Sequence, residues 1–161
     1  MIERSDIDYS HLDRPEILIG LFHPRPEYGS IERVANTIDV SIPVESNILV
    51  AGRFHMTEKS APNILFFHGN GEIAGDYDEF GPVYNRMGMN FLVVDYRGYG
   101  SSSGRPTATA MMGDCHAVFE FTKGWLGAQE HSDAHDVAAM ASRWIICDGR
   151  IRSGGFFITG F

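Results

Sequence analysis

Two short runs, Ile64-Leu65-Phe66-Phe67 and FLVVDY at 91–96, constrain this chain more than anything else in it. A strand with one wet face alternates apolar and polar residues. A run that is apolar at every position must be covered on both faces, as in a parallel sheet flanked by helices. Between the runs lies DYDEFGPVYNRMG, whose later part supplies a crossover helix that Gly88 ends. Strand, helix and strand in this length make one right-handed βαβ unit, so the fold class is α/β.

The flanking patterns differ. TIDVSIPV places Ile38, Val40, Ile42 and Val44 on one face, and NILVAGRFHM follows at once. Alternation at this spacing predicts an antiparallel pair. Residues 1–35, punctuated by Pro15, Pro24, Pro26 and Gly29, read as an irregular arm with a short helix over Pro15–Leu21. After the second run, Met111, Cys115, Val118, Phe119, Trp125 and Leu126 fall at helical spacing, with Thr107 or Thr109 as the cap and Gly124 as a weak point near the end. That helix should deliver a third parallel strand beside the one ending at Asp95. Only WIICDG at 144–149 has the character for it, and residues 127–161 read as an atypical tail after a domain over 36–126.

Composition narrows the function. Thirteen basic against 21 acidic residues give a net charge of −8 with no basic patch, which argues against a nucleic-acid partner. Cys115 and Cys147 make neither a disulfide framework nor a zinc ligand set. The mixed-charge start is unlike a signal peptide, and no window has the apolar length of a membrane span. The expectation is a cytoplasmic protein with no membrane partner.

Each apolar run empties into a loop suited to chemistry. His68-Gly69-Asn70-Gly71 follows the first, and its small residues let backbone approach a substrate closely. Asp95-Tyr96-Arg97-Gly98-Tyr99-Gly100 follows the second. FFHGNGE followed by FLVVDYRGYGSSSGRPT resembles the first half of an α/β-hydrolase, in the peptidase- and esterase-like group of serine hydrolases. The resemblance covers roughly Ile38 to Leu126. It implies a partial three-layer sheet, mostly parallel with an N-terminal antiparallel hairpin. It further implies hydrolysis of an ester, amide or related acyl bond in a small-molecule or peptide substrate, through a serine acyl-enzyme and without a cofactor. On the same resemblance, Asn70 or Gly71 supplies an oxyanion-hole N–H. His68, Gly69, Asp95, Arg97, Gly98 and Gly100 shape the supporting loops, with Asp95 and Arg97 tying the turn to neighbouring backbone. Asp95 is not the catalytic acid, because the family's acid follows its nucleophile.

The rest of that machinery is not recognisable. Gly100-Ser101-Ser102-Ser103-Gly104 satisfies G-x-S-x-G, but no strand directly precedes it, and Arg105-Pro106 disfavours a helix directly after it. It reads as a serine-rich surface loop. Ser142 and Ser153 lack the elbow context, and no histidine follows His135. His131 and His135, four apart, could share a helix face on a metal; a solvated polar turn fits HSDAHD better, and no metal site is assigned. A frame shift after Leu126 would account for the contrast, since codons for Arg143 to Asp148, shifted by one base, can read Gly-Gly-Ser-Ser-Ala-Met. The expectation is a hydrolase-family chain inactive by itself. The rival is a non-catalytic module that uses an exposed sheet edge.

Overall fold

The hairpin comes first in the sheet. The computed structural model describes residues 7–28, 35–130, 144–145 and 158–159. Helix α1 (Pro15–Leu21) carries its proline in the first turn, where the missing N–H costs nothing. Strands β1 (Thr37–Glu45) and β2 (Ile48–His55) pair antiparallel, Thr37 opposite His55, around a turn in which Asn47 takes φ 69°. Val40 and Ile42 are buried as the alternation predicts, whereas Ile38, at the start of this edge strand, stays 38% exposed.

Strand β3 (Asn63–Phe67), helix α2 (Gly81–Arg86) and strand β4 (Asn90–Val94) form the βαβ unit. β3 and β4 are parallel, Ile64 opposite Phe91 and Phe67 opposite Val94. Gly88, at φ 74°, follows α2 where the helical pattern stops. Helix α3 spans Ala108–Glu130 and runs through Gly124 without a break. Thr107 caps it, its Oγ1 accepting from the Ala110 N–H at 3.1 Å.

Two short segments complete the sheet. β5 (Trp144–Ile145) and β6 (Ile158–Thr159) both pair in parallel with β3, giving the order β1-β2-β4-β3-β5 with β6 also on β3. The expectation that the later strand lies beside β4 is therefore corrected. β2 already holds that edge of β4, antiparallel, with Gly52 opposite Val94 and His55 opposite Phe91. As a result Phe91–Val94 are at most 1% exposed. Apart from Trp144 and Ile145, the residues of WIICDG and those read for the frame shift lie outside the described residues, as does HSDAHD.

Alternate side chains of the paired strands go to opposite layers. Leu65, Phe67, Leu92 and Val94 join Val40, Ile42, Val50 and Phe54 beneath α3, whose Val118 is buried and whose Phe119 and Trp125 pack against them. Ile64, Phe66, Phe91 and Val93 form the opposite layer with Ala74, against Tyr77, Tyr84 and Met89. This is the three-layer arrangement that doubly apolar strands require. Each large side chain so buried contributes about 1.5–3 kcal/mol.

Candidate functional site

Parallel strands release their chains at one edge, so the loops after β3 and β4 meet. His68, fully buried, is the first residue past β3. Its Nε2 lies 3.1 Å from Asp95 Oδ1 and its Nδ1 2.9 Å from the Gly69 carbonyl, so both ring nitrogens face oxygen. The Tyr96 hydroxyl donates to the His68 carbonyl at 3.0 Å. Asp95, 4% exposed, also accepts from the Ala74 N–H at 2.8 Å. Its second oxygen lies against Gly100, where a Cβ would fall 2.1 Å from it. Gly100 also has φ 53°, so two constraints require glycine there.

Arg97 does not tie its turn to backbone. It makes a two-pronged pair with Asp114 on α3, both contacts 2.7 Å, and a 2.8 Å pair with Glu45 on β1. A guanidinium fork matches a carboxylate better than lone carbonyls, and α3 presents Asp114 within its reach. The serines after it have structural partners too. Ser102 Oγ accepts from the Ala51 N–H at 2.8 Å, and Ser103 Oγ accepts from the Leu49 N–H at 2.9 Å while donating to the Leu49 carbonyl at 3.1 Å. The G-x-S-x-G stretch is thus bound to β2 as well as exposed in part. Gly98 takes φ 75° in the same loop, and its N–H donates to the Ser103 carbonyl at 3.2 Å.

The first loop turns on its own carboxylate. Glu72 Oε2 accepts from the Gly69 N–H at 2.7 Å and from the Tyr77 hydroxyl at 2.5 Å. Burial, then this bonded carboxylate, pushes the Tyr77 pKa well above the ordinary phenol value. Gly71 takes φ 79°. Asn70 is exposed, and its side chain engages residues from two distant segments: Oδ1 accepts from the Tyr99 hydroxyl at 2.8 Å and the His23 N–H at 2.9 Å, and Nδ2 lies 2.8 Å from His23 Nδ1.

His23 belongs to the arm, and the sequence reading missed the arm's part in this site. The Gly100 N–H donates to the Arg25 carbonyl at 2.8 Å, the Glu27 N–H to the Gly100 carbonyl at 3.2 Å, and Arg25 Nε to the Gly71 carbonyl at 3.2 Å. Ion pairs Arg25–Asp76 and Glu27–Arg53 continue the seam. A histidine and an arginine flanking prolines in an otherwise patternless stretch are the available signal, and it is a faint one. A cavity of about 250 Å³ lies between the hairpin and these loops, lined in part by Glu27, Arg53, Ala74, Asp95 and Ser101. Asn70 and Gly71 do not line it.

No family model matches the sequence. An uncharacterised protein of Mycobacterium tuberculosis, Rv2307c, is 28% identical over 122 residues, 70% of this chain and 41% of that protein. The lysophosphatidylserine lipase ABHD12 of Danio rerio is 29% identical over 109 residues, 66% of this chain and 28% of the lipase. Human ABHD12B is 37% identical over 68 residues, 41% of this chain and 19% of that protein. The chain is similar in sequence to part of an α/β-hydrolase. It spans less than half the length of each of these relatives. Among solved structures, an α/β-hydrolase from Vibrio vulnificus overlaps 54% of this chain and 30% of its own, at TM-score 0.46 and 25% identity. A Pyrococcus furiosus esterase overlaps 63% and 42%, at TM-score 0.48 and 22% identity. Both are partial overlaps, and the sequence matches carry the α/β-hydrolase comparison.

Proposed function

We propose that this chain supplies the oxyanion side of a serine-hydrolase site that cleaves an ester, amide or related acyl bond in a small-molecule or peptide substrate, in the cytoplasm and without a cofactor. Among the described residues no helix is long and apolar enough to cross a membrane. The observation that carries the reading is the loop of Gly69 to Gly71, held at the C-terminal end of β3 beside the loop after β4. An oxyanion hole needs a backbone N–H fixed in advance where negative charge develops. The Gly69 N–H is bound to Glu72, which leaves the N–H groups of Asn70 and Gly71 as the candidates in this loop. The Asn70 N–H has no partner among the described residues. Of the two candidates we take Asn70, because its side chain is held by Tyr99 and His23.

No nucleophile is assigned, since Ser102 and Ser103 hold the backbone of β2. The chain should therefore give no turnover of nitrophenyl esters above buffer and no labelling by a fluorophosphonate probe. Removing a triad member alone lowers kcat by roughly four to six orders of magnitude. Saturable, probe-sensitive hydrolysis would refute the inactive reading and return attention to Ser102. The oxyanion reading is tested directly by titrating the chain with methylphosphonate, a tetrahedral anion, and following amide resonances. The Asn70 amide should move with concentration while that of Gly88, in the turn between α2 and β4, does not. Equal movement of both, or of neither, would end the proposal.

A further inference from the structure

The His68–Gly71 loop has a mechanical problem that the rest of the site must solve. Asn70 stands between two glycines, so its peptide has more freedom than an ordinary loop allows. A donor that must reorganise at the moment of reaction loses most of its worth. We infer that Tyr99 and His23 are positioning residues, which fix the Asn70 peptide by gripping its side chain from two distant parts of the chain. This inference rests on the oxyanion reading of Asn70.

The grip is a closed ring. The Tyr99 hydroxyl donates to Asn70 Oδ1 at 2.8 Å and itself accepts from the His23 N–H at 2.7 Å; that N–H is shared with Asn70 Oδ1 at 2.9 Å. Asn70 Nδ2 closes the ring on His23 Nδ1 at 2.8 Å. Tyr99 is the rigid member. It is 1% exposed, with its ring 5.5 Å from that of His68 and 5.8 Å from that of Tyr96. Burial raises its pKa, which keeps the phenol protonated as a donor. His23 is the adjustable member, held by the seam that runs from the Arg25 carbonyl to Gly100. Gly69 and Gly71 are anchored separately, by Glu72 and by Arg25, so the ring acts on the one residue between them.

The chemistry of the ring gives the inference a specific signature. With Oδ1 accepting twice, Nδ2 is the donor to His23, so Nδ1 must carry a lone pair. A protonated imidazole has hydrogen on both nitrogens and cannot close the ring. The charged and titratable groups around the ring are Arg25 and Asp76, paired with each other, Glu72 and Tyr77, bonded to each other, and His68 with Asp95 beneath Tyr99. An asparagine at 23 would place its Oδ1 near the former Nδ1, an acceptor that does not protonate.

The test uses the full isotope-labelled chain and the variants H23A, H23N and Y99F. His23 is exposed and Y99F keeps the ring, so each should fold; the unperturbed Gly88 amide confirms it. Two signals are followed: the Asn70 side-chain amide pair, and the methylphosphonate titration of the Asn70 backbone amide. In the native chain the side-chain pair should be protected from solvent exchange by its contact with His23 Nδ1, and H23A should lose that protection. In H23N, whose Oδ1 replaces the acceptor, both that protection and methylphosphonate binding should be kept. H23A and Y99F should each weaken binding about five- to tenfold, as expected for one lost hydrogen bond of a preorganised set. If the native chain binds methylphosphonate and H23A and Y99F bind it equally well, the inference is overturned while the oxyanion reading survives. If the native Asn70 amide ignores methylphosphonate, the oxyanion reading falls and the positioning role falls with it.

Discussion

Replacing Asp95 by alanine should be among the most damaging single changes outside the apolar layers. The carboxylate is 4% exposed; it accepts from the Ala74 N–H at 2.8 Å and lies 3.1 Å from His68 Nε2, both partners themselves buried. Truncation leaves both without a partner. An orphaned buried donor costs about 1–3 kcal/mol, so the pair bounds the loss at about 2–6. Alanine also removes the desolvation cost of the carboxylate itself, which favours the lower half, about 2–4 kcal/mol. That is a large share of the roughly 5–15 kcal/mol by which a domain is stable. In urea unfolding followed by circular dichroism, with m near 2 kcal/mol/M, the midpoint should fall by about 1–2 M. Asp95→Asn keeps an acceptor at the Oδ1 position and should lose about half as much. An Asp95→Ala midpoint within error of the native chain would refute the argument. So would an asparagine variant as unstable as the alanine one, since the charge and not the acceptor geometry would then matter.

Two further outcomes concern Ser102 and His55. Ser102→Ala should cost about 1 kcal/mol of stability by freeing the Ala51 N–H, and should leave fluorophosphonate labelling unchanged; altered labelling would mean that the hydroxyl is reactive. Stability should also fall as pH drops below about 6.5. His55 is 1% exposed, and burial, then the Arg53 charge, holds its pKa below the usual histidine value. The unfolded chain then binds the proton first, so stability is full above the unfolded value of about 6.5 and declines as pH falls toward the folded one, by up to about 1.4 kcal/mol per pH unit. In His55→Phe that part of the decline should disappear from urea midpoints measured across this range; an unchanged slope would assign it elsewhere.

The layers of this fold were legible because they depend on patterns that one element carries alone. Doubly apolar Ile64–Phe67 and Phe91–Val94 could only be covered strands, and the alternation of Val40, Ile42 and Val44 could only be half-covered. Strand order was less legible. Hydrophobic pattern says that β4 needs neighbours, but not that β2 would take the edge expected for a later strand, because register and partner are settled between segments. The loops divide the same way. Backbone freedom at Gly98 and Gly100 shows in the residue type, whereas the partners of Arg97, on α3 and β1, do not. His23 and Asn70 are 47 residues apart, and nothing local in either segment marks the other.

The position of the sheet's outer edge bears on where a nucleophile would have to be. β3 is held by β4 on one side, and on the other by β5 at Asn63 and Ile64 and β6 at Phe66 and Phe67, all in parallel. A strand that continues this parallel pairing releases its chain at the end where Asn70 lies. A nucleophile elbow is a sharp turn directly after a strand, so an elbow built there would put its serine within one strand spacing, about 4.8 Å, of the loop that the ring of Tyr99 and His23 holds. Ser102 does not meet this condition. It follows β4, on the hairpin side of the loop, with its hydroxyl turned to the Ala51 N–H. The hydrogen-bonded ring of Asn70, Tyr99 and His23 is closed in its own contacts, and under the oxyanion proposal the edge of β3 opposite β4 is the one from which a nucleophile, with the N–H that follows it, would complete the site.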